Sequence, residues 1–231
     1  MTSVKTENIL FLDIETAPLV YKYKDLKTAD KELWDKKWNY NPDNKPEELY
    51  SKAGVYAEFA KVICIGLGYY HGKQFRVKAI TATSEKELLE EFAAIVNEHF
   101  NRAEHYFCAH NGKEFDYPFL SRRMIVNGVP FPKNFQLQGK KPWEVKHFDT
   151  MEMWRFGDVK NFTSLNLLAH IFKIPSPKDD MDGSMVAEVY HEEKNIDKIK
   201  KYCLKDVITL ARVYQKYTNV PMVQDKEVVF V

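Results

Sequence analysis

The chain has 231 residues, with 34 Lys and Arg against 33 Asp and Glu, and it is 45% hydrophobic and 14% aromatic. Such a length and apolar content support a sizeable core and exclude disorder, while a formal net charge of +1 provides no overall field announcing a nucleic-acid binder. Three cysteines without Cys-x-x-Cys spacing argue against disulfides and a zinc site, and the first apolar run is too short for a signal peptide or membrane span, so a cytoplasmic protein with no membrane partner is expected.

In chain order, residues 9–16 form a short apolar run that reads as a buried strand carrying Asp13 and Glu15. Strand alternation puts both carboxylates on one face. Residues 21–60 are rich in lysine, tyrosine and tryptophan and read as a helical insertion broken between Asn39 and Pro46. Residues 62–70 and 74–80 predict a hairpin, and Ser84 with Glu87 predicts a capping box that opens a helix to about Phe100. A strand ending at His110, a turn at Asn111-Gly112 and a helix with Asp116 near its start follow, then a short strand near residues 146–149. The remainder reads as mostly helical, with segments at 164–172 and 184–191 before a last helix bearing Ile196, Ile199, Cys203, Val207, Leu210 and Tyr214 at spacings of three and four. On that helix Tyr202 and Asp206 are four apart and share a face.

An apolar strand has no structural use for two adjacent carboxylates, because like charges repel and each is costly to desolvate unless a cation compensates it. The order Asp13-x-Glu15, Asn111-x-x-x-Phe115-Asp116 and Tyr202-x-x-x-Asp206 resembles the three motifs of the DEDD 3′-to-5′ exonucleases, in their tyrosine-containing subclass. The wording around the motifs is most similar to the exonuclease domain of family B DNA polymerases, here as a standalone protein, over roughly residues 8 to 217.

That resemblance implies an α/β, RNase H-like fold, with a mixed central sheet of about five strands flanked by helices and residues 1–231 forming one exonuclease domain. It implies hydrolysis of phosphodiester bonds at the 3′ end of single-stranded or frayed DNA, releasing 5′-mononucleotides by a two-metal-ion mechanism. Asp13, Glu15, Asp116 and Asp206 would hold two divalent ions, Mg²⁺ or Mn²⁺, because hard cations take oxygen ligands. Tyr202 would orient, or deprotonate, the attacking water. Thr16, Asn111 and Phe115 are the candidate substrate contacts. Phe115 reads equally as a base-stacking wedge or as core at helical spacing, and Asn111 as a sugar-phosphate contact or simply the turn.

The expected partner is nucleic acid, chiefly single-stranded DNA 3′ ends, together with a polymerase or repair protein as a further candidate. RNA remains open, as does a catalytically silent nucleic-acid-binding module. His110 and His147 read as structural. The run Asp179-Asp180-Met181-Asp182-Gly183 reads as a solvated loop rather than a calcium site. Lys140-Lys141-Pro142-Trp143 and lysines 198–201 are candidate phosphate contacts or ordinary surface. The insertion at 21–60 either clamps substrate, recruits a partner or covers the sheet, and the tail at 228–231 either adds a strand or makes an oligomer contact.

Overall fold

A computed structural model describes residues 4–40, 43, 45–158, 160, 162–175 and 181–231. Asp179 and Asp180 of the acidic run, and Pro42 and Asn44 of the expected helix break, lie outside the described residues. The sheet has six strands in the order β5-β4-β1-β2-β3-β6. They are β1 (Ile9–Pro18), β2 (Ala60–His71), β3 (Gln74–Ile80), β4 (Tyr106–Ala109), β5 (Phe148–Asp149) and β6 (Val228–Phe230). β1 pairs antiparallel with β2 and parallel with β4, β2 and β3 form the expected hairpin, and the two edge strands β5 and β6 run parallel to their neighbours. About five strands were expected; the sixth is the C-terminal tail, which docks Val228 opposite Phe75 along β3.

Alternation along β1 sorts the molecule into two cores. Leu10, Leu12 and Ile14 face helices α3 (Glu85–His99) and α4 (Asp116–Asn127), packing against Leu89, Phe92, Phe119 and Leu120. Ile9 and Phe11 face α8 (Ile196–Thr218) and meet Val207, Leu210 and Tyr214. Asp13 and Glu15 continue that second series, so the carboxylates point to the α8 side. In the antiparallel register Asp13 lies opposite Gly66 and Glu15 opposite Cys64. A Cβ at Gly66 would fall 2.7 Å from the Cys203 sulfur, and one at Gly68 2.6 Å from Val207 Cγ1. The missing side chains let α8 lie close on β2, and this brings the third motif within reach of β1.

Between β1 and β2, α1 (Thr28–Trp38), α2 (Pro46–Leu49) and a 3₁₀ turn at Tyr50–Val55 build a separate aromatic cluster. Trp34 is fully buried at its centre, edge-on to Tyr50, Tyr56 and Phe59, and its indole N–H donates to the Pro46 carbonyl at 2.7 Å. The aromatics that made this segment resemble a strand-binding flap are therefore largely consumed by its own packing. The Ser84 capping box forms as expected, starting α3 at Glu85. After α5 (Thr150–Arg155) and α6 (Leu165–Ile171), the expected helix over 184–191 is instead a 3₁₀ turn at Gly183–Met185, a three-residue α7 (Val186–Glu188) and a π-helical turn at Val189–Glu193. The π turn breaks the i, i+4 ladder and ends at Lys194 in the left-handed region, so the chain can turn before α8 begins at its Asn195 cap.

Candidate active site

Strand β1, the N-terminus of α4 and the second and third turns of α8 meet at one point. Glu15 and Asp116 are buried and Asp13 is half-buried. Ligand atoms of Asp13, Glu15 and Cys203 lie within 4.8 Å of one another. The Cys203 thiol rests 3.5 Å from Asp13 Oδ2 and 3.6 Å from its main-chain oxygen. From α4, Asp116 reaches across to accept the Ile14 N–H at 3.2 Å, which places its carboxyl beside the strand that carries the other acids. On α8, the Tyr202 hydroxyl is hydrogen-bonded to Asp206. The segment containing Gly183 passes beside Tyr202, since a Cβ at Gly183 would stand 3.9 Å from its hydroxyl.

These groups alter one another's charge. Loss of solvent pushes the Asp13 carboxyl well above the usual range, and the charges of Asp206 and Asp116 push it further. Glu15 is raised for the same first reason, with Asp13 and Asp206 adding to it. Burial lifts Asp116 to about 8; hydrogen bonds from its own amide and from Ile14 oppose the rise, and the charge of Asp149 adds to it. The Tyr202 phenol is raised too, by burial and then by Asp206 and Glu15, so it stays a protonated donor. A divalent cation relieves this repulsion, and an oxygen-rich donor set suits a hard ion. Cys203, a soft donor beside Asp13, is the departure from an all-oxygen set.

The remaining sequence candidates sit around this point with different degrees of freedom. Thr16 donates its hydroxyl to the Gly54 carbonyl at 2.7 Å, which ties β1 to the inserted segment. Phe115 is half-buried against the core with its ring 5.4 Å from that of Phe119. Asn111 adopts φ 61, and its Oδ1 is buried without a protein partner. His110 bridges Thr150 Oγ1 and the Thr163 carbonyl, and His147 lies between the Phe107 amide and the Asn134 carbonyl; both are spent on structure. Asp182 caps the 3₁₀ turn, accepting from the Ser184 amide at 2.8 Å.

One residue escaped the sequence reading. Asp149, at the end of β5, is buried and accepts from the amides of Asn111, Lys113, Met151 and Glu152 at 2.9–3.2 Å. It thus holds the second-motif loop while capping α5. An Asp ahead of a helix signals the cap, but nothing local signals the loop on the other side.

The profile of a family described as a predicted 3′-5′ exonuclease related to the exonuclease domain of PolB matches residues 55–227, about three quarters of the chain. The chain belongs to this family. The match takes in the positions of Asn111, Asp116, Tyr202 and Asp206 and begins after β1, so Asp13 and Glu15 lie outside it. Among solved structures, the family B DNA polymerase of the hyperthermophilic archaeon Pyrobaculum calidifontis is similar, with a TM-score of 0.56 and 17% identity over 90% of this chain. That similarity defines the fold of this PolB-related chain as RNase H-like, a mixed six-stranded sheet flanked by helices. The chain spans 24% of the polymerase's length. Among the described residues, no helix is long and apolar enough to cross a membrane.

Proposed function

We propose that this member of the PolB-related exonuclease family is a metal-dependent 3′-to-5′ exonuclease of the tyrosine-containing DEDD subclass, that residues 1–231 act as one such unit, and that it shortens single-stranded or frayed DNA to release 5′-mononucleotides. The observation that carries this reading is the cluster of mutually repelling, desolvated carboxylates on β1, with Asp116 bonded to the same strand and the Tyr202–Asp206 pair facing it from α8. A fold's interior tolerates such a cluster only when a cation or bound protons neutralise it, and a cation leaves the carboxylates free to act as ligands. Asp13, Glu15 and Asp206 would hold one divalent ion, and Asp13 with Asp116 a second. When bound, a pair of such ions supplies charge neutralisation for the phosphodiester, a more acidic attacking water and stabilisation of the leaving alkoxide.

The chain's own residues account for positioning. Tyr202, held as a donor by its high pKa, orients the attacking water and Asp206 rather than removing a proton. Asn111, whose side-chain Oδ1 has no protein partner, is the residue of this loop that would contact the terminal sugar. Asp149 keeps the loop bearing Asn111 in register with Asp116. Phe115 supports α4 from the core side, and DNA is favoured over RNA through the family's relation to PolB.

Digestion of matched 5′-labelled single-stranded DNA and RNA oligomers with Mg²⁺, Mn²⁺ or chelator, beside an Asp13→Ala variant, tests the reading. A ladder shortening from the 3′ end in metal, absent in the variant and stronger on DNA, is the expected result. Intact oligomer in every lane would make the chain a binding module, and preference for RNA would reassign the substrate.

A further inference from the structure

The face of α4 opposite the acids borders a groove of about 280 Å³ that the chemistry above does not use. Its floor is apolar, with Tyr117, Ile125, Phe131 and Leu137, and its rim is cationic, with Arg122 and Lys140. Residues 129–147, which form the far wall, contain four lysines and one acid, Glu144, in a chain of formal charge +1. The Glu144 carboxylate is turned back onto the Lys141 amide at 2.8 Å. Among the described residues, Arg122, Lys140 and Lys146 have no acidic side chain within ion-pair distance. Trp143 and Lys141 flank the lining residue Pro142 in the chain; Trp143 is 75% exposed, with the Lys141 ammonium 5.3 Å from its ring.

We propose that this groove is a single-strand binding site, taking phosphates on Arg122, Lys140 and Lys141 and stacking one unpaired base on Trp143. Unpaired cations beside an exposed aromatic are the two elements of sequence-independent strand binding: phosphate neutralisation and base stacking. Continuity with the acids selects a polynucleotide over an acidic protein. Asp116 is the first residue of α4 and Arg122 lies about 9 Å further along the helix axis but on the opposite face, so a strand must also pass around a helix about 10 Å across, a path of more than about three nucleotides. A strand whose 3′ end lies at the acids would thus continue over α4 into the groove. The identity of the strand as substrate rests on the nuclease reading; the binding does not.

The test separates the two. Fluorescence anisotropy of a labelled 20-nucleotide single strand, in chelator and over a salt series, is compared for the full wild-type chain, an Arg122→Ala/Lys140→Ala/Lys141→Ala variant and a Trp143→Ala variant, with hydrolysis of a trinucleotide in Mg²⁺ measured on all three. The triple variant should bind the 20-mer at least about ten-fold more weakly, with a salt slope shallower by about 2. Trp143→Ala should lose about five-fold or more, and Trp143→Phe should recover most of it. Trinucleotide hydrolysis should be unchanged. Equal 20-mer affinity for all proteins overturns the proposal, as does capture of polyglutamate by the groove with strand binding unaffected. Loss of 20-mer binding in the variants alongside a wild type that cleaves nothing supports the groove and fails the nuclease reading.

Discussion

At Tyr202, sequence spacing alone leaves two roles open, since a tyrosine four residues before an aspartate serves as base or as orienting donor. Burial and the surrounding carboxylates raise the phenol, which favours the second. Tyr202→Phe should therefore lower turnover by about two to three orders of magnitude, the size of one positioned donor, while the pH profile of the residual activity keeps its shape. A shifted alkaline limb would show that the phenol titrates. Asp149 is the other residue whose importance is tertiary. Asp149→Ala strands four amides and should cost about 2–3 kcal/mol, read as a lower melting temperature together with lost activity; Asp149→Asn, which keeps an acceptor oxygen, should be milder in both. Equal losses for the two would mean that charge, not the cap, matters there. Both residues lie in contexts where local sequence carries half the information: a helical offset for Tyr202, a cap position for Asp149.

Among the elements, α8 decides the site. Its apolar stripe from Ile199 to Tyr214 is legible as a helix, and so is the strand of β1, yet neither specifies their separation. Gly66 and Gly68 specify it, because the helix packs where their side chains would be. Gly66→Ala should force Cys203 and Val207 outward, costing about 1–3 kcal/mol and displacing Tyr202 and Asp206 from β1. Activity should then fall by more than the loss in folded fraction, which denaturant melts and single-turnover rates on the same sample would show. Activity that simply tracks the folded fraction would mean the helix does not move. The segment at 183–193 is the element least legible in advance, since its π turn depends on the sheet and α8 against which it packs rather than on periodicity.

Across the whole molecule, two buried charge systems pull in opposite directions. Arg123 on α4 makes a two-pronged pair with Glu85 on α3, at 2.6 and 2.9 Å, while also donating to the Ala57 carbonyl, and Glu85 accepts the Val62 amide of β2. Removing the guanidinium with Arg123→Ala leaves a buried, unpaired carboxylate and should cost about 3–5 kcal/mol, measured by denaturant unfolding. The clustered acids of β1 and α4 work the other way. A carboxyl whose folded pKa lies above its unfolded value binds its proton more tightly when folded, so it weakens the fold as it ionises. For Asp116, from 3.8 unfolded to about 8 folded, the metal-free protein should lose stability as pH rises through that window. In chelator, Asp116→Asn should gain melting temperature over wild type increasingly from pH 5 to pH 8, and Mg²⁺ should shrink the gap; a gap that ignores pH would mean Asp116 is not buried in its ionised form. The sequence by itself determined what repeats locally or is written in short spacing: the alternation that puts Asp13 and Glu15 on one face of β1, the Ser84 cap, the turn at Asn111 and the shared face of Tyr202 and Asp206. Only the tertiary structure decided how close those pieces come, where the tail docks, and that Asp149 and the Lys140 groove flank α4. The reason is physical: periodicity is a property of neighbouring residues, whereas approach distance and charge coupling arise from packing between segments more than a hundred residues apart.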